Sequence, residues 1–334
     1  MTPTTCRDSL EIRRRVRPAA LAGVILLGLL FLVQGCRSGP PAPPPPPGPY
    51  AAIPAGRELG VLVLGDWGTG DDGQRALART MMRVHGAAPP DLVLTVGDNF
   101  YPRGVSNTLD PQWKTTFEDV YTGGFWDSVT FRPTFGNHDH YGNAYAQIGY
   151  SYLDPRWAMP DSFYAFSESI PSGGEALFIA LDTNVLDDDV QRQRQAAWLD
   201  SVAADGRARG VDWIVAYGHH PIETVGNHAP SKDARAAILP AMQQHGLLYL
   251  AGHNHSLELL EIEPGLFTGV CGGGGGDDND MWVMAAENLV AAFTGGGWCF
   301  LRIWEDALAI DYYDVEGALR YRKVLRLGDA VPGG

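Results

Sequence analysis

From residue 58 onward the chain alternates short apolar runs with longer amphipathic stretches. Residues 59–64, 91–96, 177–181, 213–217 and 247–251 are apolar enough to be strands covered on both faces. Between them, 74–84, 191–204 and 233–243 carry apolar residues at helical spacing and predict three helices. After residue 256 that spacing stops, and 257–262, 266–270, 299–304, 308–313 and 320–325 predict successive antiparallel strands. There is no internal repeat. The pattern predicts one α/β domain over residues 57–328: two packed mixed β-sheets flanked by helices, an α/β/β/α sandwich.

Polar residues interrupt this pattern at the strand ends. Gly65-Asp66 follows the first run, Gly97-Asp98 the second, and Gly136-Asn137-His138-Asp139 a shorter third. Gly218-His219-His220 and Gly252-His253-Asn254-His255 follow two more. Ligand sites in open α/β sheets gather at the carboxyl ends of strands, so these five ends describe a single site.

Composition narrows the chemistry. The 334 residues are 45% apolar, with nine Trp and thirteen Tyr, enough to fill a large core. The net charge is −14, and no basic stripe is visible after the first forty residues. A nucleic-acid surface is therefore not expected. Phosphate chemistry on so acidic a chain needs concentrated local positive charge, which bound metal ions supply.

Residues 1–36 are a targeting segment. Arg13, Arg14, Arg15 and Arg17 precede a charge-free apolar run of fifteen residues, 19–33. That is shorter than the ~20 residues of a comfortable membrane span. The run ends in Leu32-Val33-Gln34-Gly35-Cys36, which resembles the lipobox of bacterial lipoproteins, with Cys36 as the lipid attachment point. The competing reading is an uncleaved anchor helix with its arginines in the cytoplasm. The small residue directly before the Cys favours the lipoprotein, and both readings place the rest of the chain outside the cytoplasm, on the periplasmic or cell-surface side of a bacterial membrane. Residues 37–56 form a proline-rich linker that acts as a semi-rigid spacer. Cys271 and Cys299 remain in the domain, where an oxidising compartment allows a disulfide without requiring one.

The candidate ligands are Asp, His, Asn and Tyr, without Cys. That set disfavours thiolate-type structural zinc and favours Fe, Mn or Zn. Carboxylates bridge cations, and two metals about 3.5–4 Å apart clamp both oxygens of an in-line phosphoryl displacement. Seven of the nine histidines fall at 138–140, 219–228 and 253–255, which scattered core histidines would not do.

Together with Gly65-Asp66-Trp67-Gly68, Gly97-Asp98-Asn99-Phe100-Tyr101 and Gly218-His219-His220-Pro221, these motifs resemble the calcineurin-like metallophosphoesterases. Within them the chain is similar to the small, mammalian-type purple (tartrate-resistant) acid phosphatases, from about residue 58 to 325, including 116–120, 146–148 and Arg156-Trp157. Many relatives have a ligand His where this chain has Gly68. Tyr101 stands where purple acid phosphatases supply a tyrosinate, and a phenolate demands a strong Lewis acid such as Fe(III).

The resemblance implies a ferric site of Asp66, Asp98, Tyr101 and His255. It implies a divalent site (Fe, Zn or Mn) of Asp98, Asn137, His219 and His253. It also implies that Asn137, His138 and His228 face the substrate phosphate. The implied reaction is hydrolysis of phosphate monoesters by a metal-bound hydroxide, with His228, helped by His138, protonating the leaving group, and with an acidic optimum. Asp139 is a candidate to orient the His138 ring. His220 stands where the family usually has Tyr, and His140 is a further spare imidazole. The 183–189 loop is short, so restraint by a longer cleavable loop does not transfer. Asp277, Asp278 and Asp280 after the glycines 272–276 suit a flexible loop better than calcium. The expected partners are small phosphorylated substrates and a membrane, with the protein a monomer. The alternatives are a nucleotide phosphodiesterase or nucleotidase, and a non-catalytic, lipid-anchored metal- or phosphate-binding protein.

Overall fold

Side-chain alternation along the central strands builds the layers. The computed structural model of the chain describes residues 50–275 and 283–328; the targeting segment, Cys36, linker residues 37–49 and the three aspartates after the glycine run lie outside them. In β5 (Glu175–Ala180), Ala176, Phe178 and Ala180 join the large core that also holds β1 (Leu59–Leu64) and β2 (Leu92–Val96). Leu177 and Ile179 point the other way, into a second core. The same two-residue period divides β6 (Trp213–Tyr217) and β7 (Leu248–Ala251). The second core is completed by Leu199 and Ala203 of α4 (Asp189–Arg209) and by Ala234, Ile238 and Met242 of α5 (Lys232–His245).

The remaining strands are β3 (Thr130–Thr134), β4 (Tyr164–Ser169), β8 (Leu257–Glu263), β9 (Leu266–Cys271), β10 (Leu289–Phe293), β11 (Gly297–Ile303), β12 (Ala307–Asp314) and β13 (Leu319–Arg326). One sheet has the order β13-β12-β11-β1-β2-β3, the other β10-β8-β9-β7-β6-β5-β4. Both are mixed. β1, β2 and β3 run parallel, as do β5, β6, β7 and β9; the flanking pairs are antiparallel.

The first helix, α1 (Asp72–His85), is capped by Asp71, whose side chain accepts the Gln74 N–H. Its last residue, His85, packs on Trp298 and Phe300 of β11 and Tyr313 of β12. Cys299, between those two aromatics, points to the opposite face and meets Cys271 of the other sheet. The layers are thus α1, sheet, sheet, then α4 and α5, the expected α/β/β/α sandwich.

Boundaries moved by a few residues, and two strands were not in the pattern. β4 is a sheet edge whose outward positions are polar, and β10 is short and alanine-containing, so neither reads as a buried run. Cys271 and Cys299 are buried and free. The disulfide that the sequence allowed is not formed, and burial pushes the Cys299 thiol well above its ordinary range, which keeps it from becoming the nucleophilic thiolate. Among the described residues no helix is long and apolar enough to cross a membrane.

Candidate metal centre

The polar strand ends converge, but from both sheets. Asp66, Asp98 and Asn137 follow β1, β2 and β3 of one sheet, while His219 and His253 follow β6 and β7 of the other. Asn137 opens a single turn, α2 (Asn137–His140). The two halves are tied directly: the His253 backbone N–H donates to Asp66 Oδ2 at 2.8 Å. Asp66, Asp98 and His253 all have positive φ, 54°, 50° and 72°. Such left-handed backbone costs roughly 1–2 kcal/mol per non-glycine residue, and it persists here because the surrounding hydrogen bonds hold it.

Two glycines make the convergence sterically possible. A Cβ on Gly136 would lie 2.1 Å from Asp98 Oδ1. A Cβ on Gly68 would lie 1.9 Å from the Asn99 carbonyl oxygen. The Gly68 carbonyl instead accepts the Tyr101 N–H at 2.8 Å, so the loop carrying Tyr101 closes onto the first motif. The missing side chain at 68 and the phenol at 101 are two sides of one packing arrangement.

One group of donors surrounds Asn137. Its Oδ1 lies 3.0 Å from His219 Nε2 and 3.1 Å from His253 Nδ1, and His219 Nε2 is 3.6 Å from Asp98 Oδ2. His219 Nδ1–H donates to the Val96 carbonyl at 3.0 Å, which leaves its Nε2 lone pair facing the site. Burial holds His219 well below its ordinary pKa. Burial, reinforced by His219, His220 and His228, pulls His253 down to about 2. Both rings are neutral, the form that binds metal.

The second group surrounds Tyr101. Its hydroxyl donates to Asp98 Oδ2 at 2.8 Å and lies 3.2 Å from both Asp66 Oδ1 and His255 Nε2. Burial, then the charges of Asp66 and Asp98, push the phenol far above its ordinary range. A phenolate forms there only if strong positive charge is present. Asp98 Oδ2 is common to both groups. Donor atoms of Asp66, Asp98 and His219, all buried, lie within 4.8 Å of one another. Among the described residues Asp98 faces a phenol, imidazoles and a backbone N–H, with no lysine or arginine in ion-pair range. A buried carboxylate so placed, beside neutral imidazoles, fits a metal centre.

His138 and His228 lie at the rim of this cluster. His138 Nδ1–H donates to the Pro102 carbonyl at 2.8 Å, and its Nε2 sits 4.0 Å from Asp98 Oδ2. Asp139 does not orient this ring. It is buried, accepts the N–H groups of Gly136 and Asn99 and the amide of Gln147, and is pushed up to about 7 by burial and by Asp98. Its neighbour on the chain points outward because consecutive residues of a helical turn face different ways. The His228 ring lies 4.5 Å from that of His253.

Several supporting residues escaped the motif pattern. The Thr183 hydroxyl accepts the N–H groups of both His219 and His220, at 3.1 and 3.0 Å, and donates to His220 Nδ1 at 3.0 Å. Burial lowers the His220 pKa, so its neutral ring carries the proton on Nε2. His140 Nε2 sits 3.1 Å from both oxygens of Asp182, which overcome the burial penalty and raise its pKa. Asn254, between two candidate ligand histidines, has a buried side chain that reaches Thr224 and His228. A polar residue alternating with two ligands on a tight turn was the available signal. Thr183 and Pro102 had none.

Known proteins resemble this chain in sequence and in fold. The calcineurin-like phosphoesterase family matches residues 59–257. Tartrate-resistant acid phosphatase type 5 of Sus scrofa is 29% identical over 302 residues, covering 80% of this chain and 86% of the relative. GAP50, the anchor in the inner membrane complex of Plasmodium, superposes with a TM-score of 0.72 at 24% identity, over 81% of this chain and 90% of its own. A purple acid phosphatase from yellow lupin (Lupinus luteus) seeds gives 0.60 at 13% identity, over 86% of this chain and 58% of its own. At these identities the structural likeness speaks for the fold alone.

Proposed function

The chain belongs to the calcineurin-like phosphoesterase family, and we propose that within it this protein is an acid phosphatase hydrolysing phosphate monoesters at a centre of Fe(III) and a divalent metal. The observation that carries this reading is the Tyr101 hydroxyl 2.8 Å from Asp98 Oδ2, on a loop whose Tyr101 N–H closes onto the Gly68 carbonyl. The sequence likeness to tartrate-resistant acid phosphatase type 5 supports it.

When bound, the metals supply Lewis-acid polarisation of the phosphoryl group and an activated water. Asp66, Asp98, Tyr101 and His255 would hold the ferric ion; Asp98, Asn137, His219 and His253 would hold Fe, Zn or Mn. His138 presents Nε2 to the phosphate, its orientation fixed by the Pro102 carbonyl. His228, beside His253, delivers a proton to the leaving alkoxide, and an acidic rate maximum is part of the same reading.

The test is turnover of p-nitrophenyl phosphate and bis(p-nitrophenyl) phosphate against pH, with metal analysis and a visible spectrum of the same sample. The proposal expects monoester preference, an acidic maximum and a phenolate-to-iron band. Diester preference, or an alkaline maximum without iron, would point to a nucleotide phosphodiesterase instead.

We also propose that the enzyme is tethered outside the cytoplasm through lipid on Cys36. Cys36→Ala should abolish palmitate labelling and release the protein from membranes. Retention of the unlabelled variant in membranes would favour an uncleaved anchor.

A further inference from the structure

Arg132 lies in β3, the edge strand of its sheet, and reaches across the open side of the sandwich toward β4. Its guanidinium stacks on the Phe166 ring at 4.3 Å. Stacking satisfies the face of the group but none of its in-plane donors. Nε is buried with no hydrogen-bond partner, and among the described residues no carboxylate lies in ion-pair range of Arg132. Leaving a buried donor unsatisfied is costly, more so when it is charged.

The nearby hydroxyls are already engaged. Tyr164 donates to the Pro133 carbonyl, Tyr217 to the Arg132 carbonyl, and Ser151 exchanges hydrogen bonds with the Met159 backbone. Arg132 also lines a pocket of about 250 Å³, whose wall includes Ile148, Tyr152, Trp157, Ala158 and Met159. None of these side chains carries charge.

A cavity of ~150 Å³ admits benzene, and drug-sized ligands occupy roughly 300 Å³ or more. The volume here suits a single ring or a short aliphatic chain. One cation in an apolar wall suits one negative charge; a phosphate dianion would leave charge uncompensated and acceptors unmet. The planar guanidinium fork matches a carboxylate. We propose that the Arg132 pocket binds a small organic carboxylate with an apolar body, aromatic or short-chain, away from the metal centre.

Calorimetric titration of metal-loaded full-length protein with benzoate tests this, with saturating inorganic phosphate present to occupy the metal centre. Saturable binding is expected, at least tenfold weaker for benzyl alcohol and at least tenfold weaker in Arg132→Met. Phosphatase turnover of Arg132→Met should match wild type, which also reports that the variant is folded. Ala158→Phe, which fills the pocket and keeps the arginine, should weaken benzoate to the same degree. Absent benzoate binding, equal binding by either variant, or displacement by phosphate would overturn the proposal.

Discussion

Asn254 Oδ1 accepts the backbone N–H of His228 at 2.7 Å, while its Nδ2 donates to the carbonyl of the same residue at 3.1 Å. Asn254 sits between His253 and His255 and is fully buried. The turn that presents two candidate metal ligands thereby also fixes the candidate proton donor. Glu258 reinforces the link by accepting from Thr224 Oγ1 and the Val225 N–H. Asn254→Ala should lower kcat about 10–100-fold, the usual cost of losing such a support. Asn254→Asp keeps an acceptor for the His228 N–H and should fall between. Turnover measured beside metal content separates this effect from simple metal loss; full activity in Asn254→Ala would refute the link.

Tyr101→Phe should bind iron without the visible phenolate band. Burial and the two neighbouring aspartates hold the phenol protonated, so phenolate formation must accompany entry of the cation. Adding Fe(III) to metal-free wild type near neutral pH should therefore release more protons than in the variant. A pH-stat titration with a parallel spectrum measures both.

Metal removal should lower Tm as well as abolish turnover. Asp66 and Asp98 are buried with donor atoms within 4.8 Å, and without cations their charges oppose one another. Asp98→Asn should recover part of the lost Tm in the metal-free state, yet fail to regain it when metal is added. Differential scanning calorimetry with and without chelator makes the comparison.

Thr183→Val should destabilise the fold although Thr183 is not itself a candidate ligand. The change leaves the His219 and His220 N–H groups without their acceptor. The expected loss is about 1–3 kcal/mol, or roughly 2–4 °C in Tm per kcal/mol. Thr183→Ser keeps the hydroxyl and should retain most of the stability.

His85 should limit acid stability. Burial, aided by the Arg302 guanidinium, pulls its pKa from 6.5 down to about 3. Its Nε2 accepts the Trp298 indole N–H at 3.0 Å, which only the neutral ring does. The unfolded chain takes up this proton between 6.5 and about 3 while the folded one does not. Its contribution is full above pH 6.5 and is lost as pH falls toward about 3. His85→Gln keeps an acceptor without titrating, so urea midpoints between pH 7 and 4 should fall less steeply than in wild type.

The sequence alone determined the buried strands and the ligand types. Runs such as 59–64 and 213–217 are apolar at every position, which only strands covered on both faces tolerate, and β1 and β6 have those bounds. The Gly-Asp and Gly-His ends were legible because polar residues directly after such runs stand out locally. Only the tertiary structure decided that the ends come from two sheets, that Asp139 turns away from His138, and that Asn254 holds His228. Each rests on at least one contact tens to hundreds of positions apart, as Asn99 N–H meets Asp139 Oδ2 across 40 positions and His253 N–H meets Asp66 Oδ2 across 187. Local pattern reports which face of an element is apolar. Which element lies opposite is set by packing two sheets together, and that also left Arg132 Nε buried without a hydrogen-bond partner in a residue that lines an apolar pocket.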